Sequence, residues 1–151
     1  MKLVANADER EIAARTDEML LDVLRREGLV SVRETCGIGV CGACTVLVDG
    51  EPISACLLLA KAAEGRAITT IEGLAADDPV VRAFEAAHAL QCGYCTPGMV
   101  LTAKALLAET PSPSESEISE ALAGNLCRCG SYVKIVDAVR AASRGRANER
   151  A

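Results

Sequence analysis

The sequence predicts an α+β protein of two units, a mixed strand and helix half followed by an all-helical half. Three observations lead there. Strand signals stop after about Leu74, four capped helical segments follow, and the eight cysteines divide four and four across that same point. The boundaries expected are 1–75 for the first unit, 76–143 for the second and 144–151 for a polar, frayed tail.

In the first unit "KLVAN" and "EREIAA" alternate as a half-buried hairpin does, with Asn6-Ala7-Asp8 as turn residues between them. From Thr16 or Asp17, "TDEMLLDVLRREG" has a cap candidate, apolar Leu20, Leu21 and Leu24, basic Arg25 and Arg26 late, and Gly28 to stop it. "TVLVDGEPIS" reads as a second hairpin around the tight-turn pair Asp49-Gly50, and "AITTI" as a further strand. Two strands, a helix, two strands, a helical turn and a strand form the pattern of a β-grasp, ferredoxin-like domain.

"AADDP" then reads as a linker. Asp78 caps a helix with Pro79 at its first position, and Val80, Phe84, Ala87 and Gln91 fall on one face at helical spacing. Thr96 and Pro97 open the next, which carries Met99, Val100, Ala103, Leu106 and Leu107 and has Pro111 beyond its end. Ser114 and Glu117 make a capping box for the third, whose inner face is Ile118, Ala121 and Leu122 before Gly124 breaks it. Ser131 caps the fourth, with Ile135, Val136, Val139 and Ala142 turned inward. Four short helices with short loops predict a four-helix bundle.

Half of the 151 residues are apolar, yet Phe84, Tyr94 and Tyr132 are the only aromatic ones. The largest contributors to burial are therefore scarce, and something besides aromatic packing is needed to hold the second unit. A net charge of −5 without a lysine and arginine stripe argues against nucleic acid as a partner. No apolar run is long enough for a membrane span, and Arg25-Arg26 lacks the apolar stretch of an export signal. A cytoplasmic, reducing setting is expected, where clustered cysteines serve as metal ligands rather than disulfides.

Cys36, Cys41, Cys44 and Cys56 form C-x4-C-x2-C-x11-C, and Cys92, Cys95, Cys127 and Cys129 form C-x2-C-x31-C-x-C. Four thiolates close one metal site, so each half holds a complete ligand set. The first spacing is that of plant-type [2Fe–2S] centres. Its loop glycines, Gly37, Gly39 and Gly42, free the backbone N–H groups to turn toward sulfur. For the second set taken alone, zinc competes with iron, because C-x2-C pairs also build zinc knuckles.

Taken together, "ETCGIGVCGACTVLVDG", "SACLLLA", "ITTIEGL", "LQCGYCTPGMV" and "GNLCRCGSY" closely resemble the small iron–sulfur subunit of the xanthine oxidase family of molybdenum hydroxylases, from Lys2 to about Ala142. The iron–sulfur subunit of succinate dehydrogenase shares the first spacing but needs further C-x2-C-x2-C-x3-C-P runs that this sequence lacks. The resemblance implies two [2Fe–2S] clusters, one per unit, in a non-catalytic subunit of an oxidoreductase. It implies that electrons come from a molybdopterin cofactor on a large subunit and leave for FAD on a medium subunit, in a dimer of heterotrimers. It makes Cys92, Cys95, Cys127 and Cys129 ligands of the cluster nearer molybdenum, and Cys36, Cys41, Cys44 and Cys56 ligands of the cluster nearer flavin. Gln91 matches a glutamine that hydrogen-bonds the pterin, and Cys129 also approaches it. The substrate is set by the large subunit.

His88, the only histidine, is expected to be helix-face filler. Tyr94 and Tyr132 flank ligands and are expected to shield them from water, and Met19 and Met99 to pack. One departure stands out: the family usually has Thr-Gly after its last cysteine, and this chain has Gly130-Ser131.

Overall fold

The computed structural model describes residues 1–148, with side chains described through 145. Five strands form one mixed sheet in the order β2-β1-β5-β3-β4: β1 (Lys2–Ala5), β2 (Asp8–Glu11), β3 (Thr45–Val48), β4 (Glu51–Ser54) and β5 (Ala67–Thr69). Only β1 and β5 run parallel. Both expected hairpins form with left-handed turn residues, Asn6 and Ala7 at φ 54° and 64° in one, Asp49 and Gly50 at 53° and 90° in the other. Two positive φ angles in a row match the twist of the flanking strands.

Helix α1 (Leu20–Arg26) lays Leu20, Leu21, Val23 and Leu24 on the sheet, in one apolar core with Leu3, Val46, Val48 and Ile68. It starts later than Thr16 or Asp17. Its first N–H groups are taken by the carbonyls of Leu58 and Ala55, at 2.7 and 3.0 Å, so no side-chain cap is needed. Gly28 ends it at φ 90° as expected.

Four helices follow: α2 (Pro79–Ala86), α3 (Thr96–Glu109), α4 (Glu115–Ala121) and α5 (Tyr132–Asn148). Asp78 accepts from the Val80 N–H, and Ser114 and Glu117 form the expected capping box. These helices share a second core around Phe84, Met99, Ile118, Ile135 and Val139. Helix α5 continues to Asn148, past the expected start of the tail, while residues 149–151 lie outside the described residues.

Helix α3 is the join between the halves. It touches α2, α4 and α5 on its own side and β3 and β4 on the other. Hence Gly98 through Ala103 are all buried, and β3, covered on both faces, reads as the unbroken run Thr45–Val48. No helix among the described residues is long and apolar enough to cross a membrane.

A further expectation needs correction. Gln91 does not continue the α2 face, and His88 is not on it. His88 takes φ 48°, its N–H returns to the Glu85 carbonyl at 3.0 Å and the Ala89 N–H to the Phe84 carbonyl at 2.9 Å. That is a Schellman closure with histidine in the left-handed position, and buried Ala89 seals it against Phe84. The chain turns there and carries Gln91 off the helix toward the second cysteine set.

Candidate metal centres

Within each cysteine set the thiols act on one another's ionisation. In the first, the Cys41 thiol helps to lower the pKa of Cys36, and the Cys56 thiol helps to raise that of Cys44. In the second, the Cys129 thiol helps to lower the pKa of Cys92, and the Cys127 thiol helps to raise that of Cys95. Burial differs within each set: Cys44, Cys56 and Cys127 are buried, Cys36, Cys41 and Cys95 are half-buried, and Cys92 and Cys129 are exposed. Among the described residues no three histidine, cysteine, aspartate or glutamate side chains converge as ligands of one ion would.

The backbone around the sulfurs follows from the glycines. Gly37, Gly39 and Gly42 all take positive φ, between 66° and 74°. The loop so formed aims the N–H groups of Ile38, Cys41 and Val40 at the Cys36 sulfur, which with the Cys41 thiol bring its pKa down to about 6. Burial pushes Cys44 up to about 11, with the Cys56 thiol adding to the rise.

The second site repeats this division. The Tyr94 N–H, then the Cys129 thiol, hold Cys92 below the ordinary thiol range. Burial, then the Cys127 thiol, push Cys95 up to about 12. Burial also works against ionised Cys127, but the Ser131 N–H, at 3.4 Å from its sulfur, leads a set of donors including Cys129 and Gly130 that outweighs it. Gly130 at φ 79° turns these N–H groups inward. Gly130-Ser131 thus has a local role: glycine supplies the turn and buried Ser131 supplies its N–H to sulfur and its carbonyl to the Ile135 N–H of α5.

A cavity of about 410 Å³ lies between the sites, lined by Cys41 of the first and by Cys92, Cys95 and Cys127 of the second. Both tyrosines line it and are about two-fifths exposed, so they screen it only in part. They also bond. The Tyr94 hydroxyl donates to the Glu34 carbonyl at 2.9 Å, beneath the Arg33 guanidinium 5.4 Å from its ring, and the Cys127 N–H donates to the Tyr132 hydroxyl at 2.8 Å. The Gln91 amide donates to the Cys129 carbonyl at 3.2 Å. His88 is exposed, away from these contacts.

Comparison with known proteins fits this arrangement. Residues 3–71 match the 2Fe-2S iron-sulfur cluster binding domain, and residues 70–140 match the [2Fe-2S] binding domain. The nicotinate dehydrogenase small FeS subunit of Eubacterium barkeri is 49% identical over 144 residues, which cover 93% of this chain and 92% of that one. Quinoline 2-oxidoreductase from Pseudomonas putida 86 superposes with a TM-score of 0.92 at 42% identity, over 99% of this chain and 95% of that one. The chain belongs to the small iron–sulfur subunits of the xanthine oxidase family.

As such a subunit it is part of an oxidoreductase and serves electron transfer. The xanthine dehydrogenase iron-sulfur-binding subunit of Escherichia coli O157:H7 is a further relative, 48% identical over 128 residues that cover 80% of this small subunit and 79% of that chain. The aldehyde oxidoreductase from Desulfovibrio desulfuricans ATCC 27774 has the same fold, TM-score 0.92 at 39% identity. Matched residues there cover 98% of this subunit but 17% of that longer chain.

The donor chemistry fits iron–sulfur clusters. Sulfur pairs receive backbone N–H groups, and the Thr96 hydroxyl, next to Cys95, is buried without a partner. The sequence had marked the cysteines and their glycines, but not Asn125, Thr102 or the hydroxyl bonds of Tyr94 and Tyr132. Asn125 follows the helix-ending Gly124, and no pattern along the chain distinguishes it.

Proposed function

We propose that this chain carries electrons between a molybdopterin cofactor on a large subunit and FAD on a medium subunit. In this reading Cys36, Cys41, Cys44 and Cys56 would hold the first cluster. Cys92, Cys95, Cys127 and Cys129 would hold the second. The observation that supports the reading is the pair of family matches, one cluster-binding domain over residues 3–71 and a second over residues 70–140, each containing four of the cysteines. A bound [2Fe–2S] cluster supplies a reversible one-electron centre whose potential depends on hydrogen bonds to its sulfurs. The N–H groups of Ile38, Val40 and Cys41 around Cys36, and of Ser131, Cys129 and Gly130 around Cys127, are the chain's own means of setting it.

The exposed ends suit two partners. Ile38, Val40 and Leu57, each more than half exposed, surround the first set and form an apolar surface for the flavin subunit. Gln91 and Cys129 face out at the second set, where the molybdopterin subunit would dock. The units 1–75 and 76–143, the second a four-helix arrangement, then each house one cluster, in a dimer of heterotrimers in the cytoplasm. Purification under native conditions tests this: molybdenum and flavin in one stable complex with this chain support it. A lone chain reduced by unrelated reductases would make it a free-standing two-cluster ferredoxin instead.

A further inference from the structure

Three chain segments, each next to a cysteine of one of the sets, meet at a buried point. Asn125, 4% exposed and two residues before Cys127, donates through its amide to the Gly42 carbonyl at 3.0 Å and to the Thr45 hydroxyl at 3.2 Å. Its amide oxygen accepts from Thr102 of α3 at 3.0 Å. Both amide hydrogens and the oxygen are used, so the side chain has one orientation. Thr45 donates to the same Gly42 carbonyl at 2.8 Å.

Backbone packing tightens this junction. A methyl group on Gly42 would collide with the Gly124 carbonyl and with Asn125, and one on Gly98 would collide with the Gly42 carbonyl. Gly42 lies between Cys41 and Cys44, and Gly98 lies in the first turn of α3, three residues after Cys95. Beside it the Leu126 N–H donates to the Cys41 carbonyl at 2.9 Å. One hydrogen bond thus joins a cysteine of the first set to the residue bonded to Cys127 of the second.

We infer that Asn125, Gly42 and Gly98 form a spacer that fixes the separation of the two cysteine sets, with the Leu126 to Cys41 hydrogen bond as a direct link between them. The inference rests on the reading that both sets carry clusters. The transfer it serves moves one electron from one set to the other, with no bond broken and no proton required. Because tunnelling falls off exponentially with separation, a rigid seam sets the rate where a yielding one would scatter it. Asn125 acts through Gly42, Thr45 and Thr102, and Gly98 through its close approach to the Gly42 carbonyl, so both are positioning residues.

Gly98→Ala in the purified, iron-loaded complex is the test, because Gly98 has an ordinary helical φ and the new methyl strikes only the seam. Iron per chain is expected to stay at the wild-type value. The magnetic splitting between the two reduced centres is expected to narrow, and the Leu126 amide to exchange with solvent about tenfold faster. Gly124→Ala, whose methyl meets open space, should match wild type in both. If Gly98→Ala does not assemble, Thr102→Val removes one donor to Asn125 with little change of shape and should shift both readouts in the same direction. Wild-type splitting and wild-type Leu126 exchange in whichever seam variant assembles overturn the inference. Absence of iron from the wild-type protein would instead overturn the cluster reading, and the Leu126 exchange would still report on the seam.

Discussion

The side-chain amide of Gln91 reaches across 38 residues to donate to the backbone carbonyl of Cys129 at 3.2 Å. Both residues are exposed, so the bond contributes little to folding while it holds two groups at the outer face of the second site. Gln91→Ala should change unfolding by no more than about 0.5 kcal/mol and leave iron content intact. Molybdenum retained by the purified complex should fall. Wild-type molybdenum in this variant would remove Gln91 from the proposed pterin contact.

Tyr132 offers a contrast, since its hydroxyl accepts the Cys127 N–H at 2.8 Å and forms part of the wall around an inner thiol. Tyr132→Phe strands that N–H and should cost about 1 kcal/mol. The visible absorbance of the second centre should bleach faster under a chelator than that of the first. Equal bleaching of both would show that the hydroxyl does not protect the site.

Most of the sheet and helices were legible because turn and cap chemistry is local. Asp49-Gly50, Asp78-Pro79, Gly28 and the Ser114 to Glu117 box all act within a few residues. The end of α2 was not, because a left-handed histidine closes it where glycine is usual. Nor was the start of α1, whose N–H groups are satisfied by the distant carbonyls of Leu58 and Ala55. At the candidate centres, spacing sorted eight cysteines into two sets but could not say that Cys44, Cys56 and Cys127 would be buried and Cys92 and Cys129 exposed. Asn125 was invisible for the same reason: its partners Gly42, Thr45 and Thr102 are remote in the chain, and only folding assembles them.

Glu72 ties the chain down just before the helical half. Its carboxylate accepts from the Ser31 N–H at 2.9 Å, from the Ser31 hydroxyl and from Thr70 at 2.6 Å. Burial alone would raise its pKa, but these donors outweigh it and hold it below 4.5. A depressed carboxylate stabilises the fold above its unfolded pKa, and that stability is lost as pH falls through the lower, folded value. Glu72→Gln should therefore cost about 1 kcal/mol near neutrality, solvent screening having reduced it. The difference from wild type should shrink in acid melts below pH 4.5. A constant difference across that range would separate Glu72 from the acid response.

Thiol reactivity in the iron-free protein follows the pKa division. With Cys36 near 6, and Cys44 and Cys95 near 11 and 12, Cys36 is mostly thiolate at about pH 7 and the other two are protonated. Brief alkylation followed by peptide mass spectrometry should label Cys36 well before Cys44 or Cys95. Equal labelling would mean that the N–H groups of Ile38, Val40 and Cys41 do not hold the Cys36 sulfur in solution.

The central claim is that both cysteine sets carry binuclear iron. Iron and acid-labile sulfide, measured on protein purified without air, should each come to about four per chain, with two distinct reduced signals by electron paramagnetic resonance. Replacing Cys44 or Cys95 by serine should remove one signal each and leave the other. Colourless protein holding zinc in place of iron and sulfide would contradict the account.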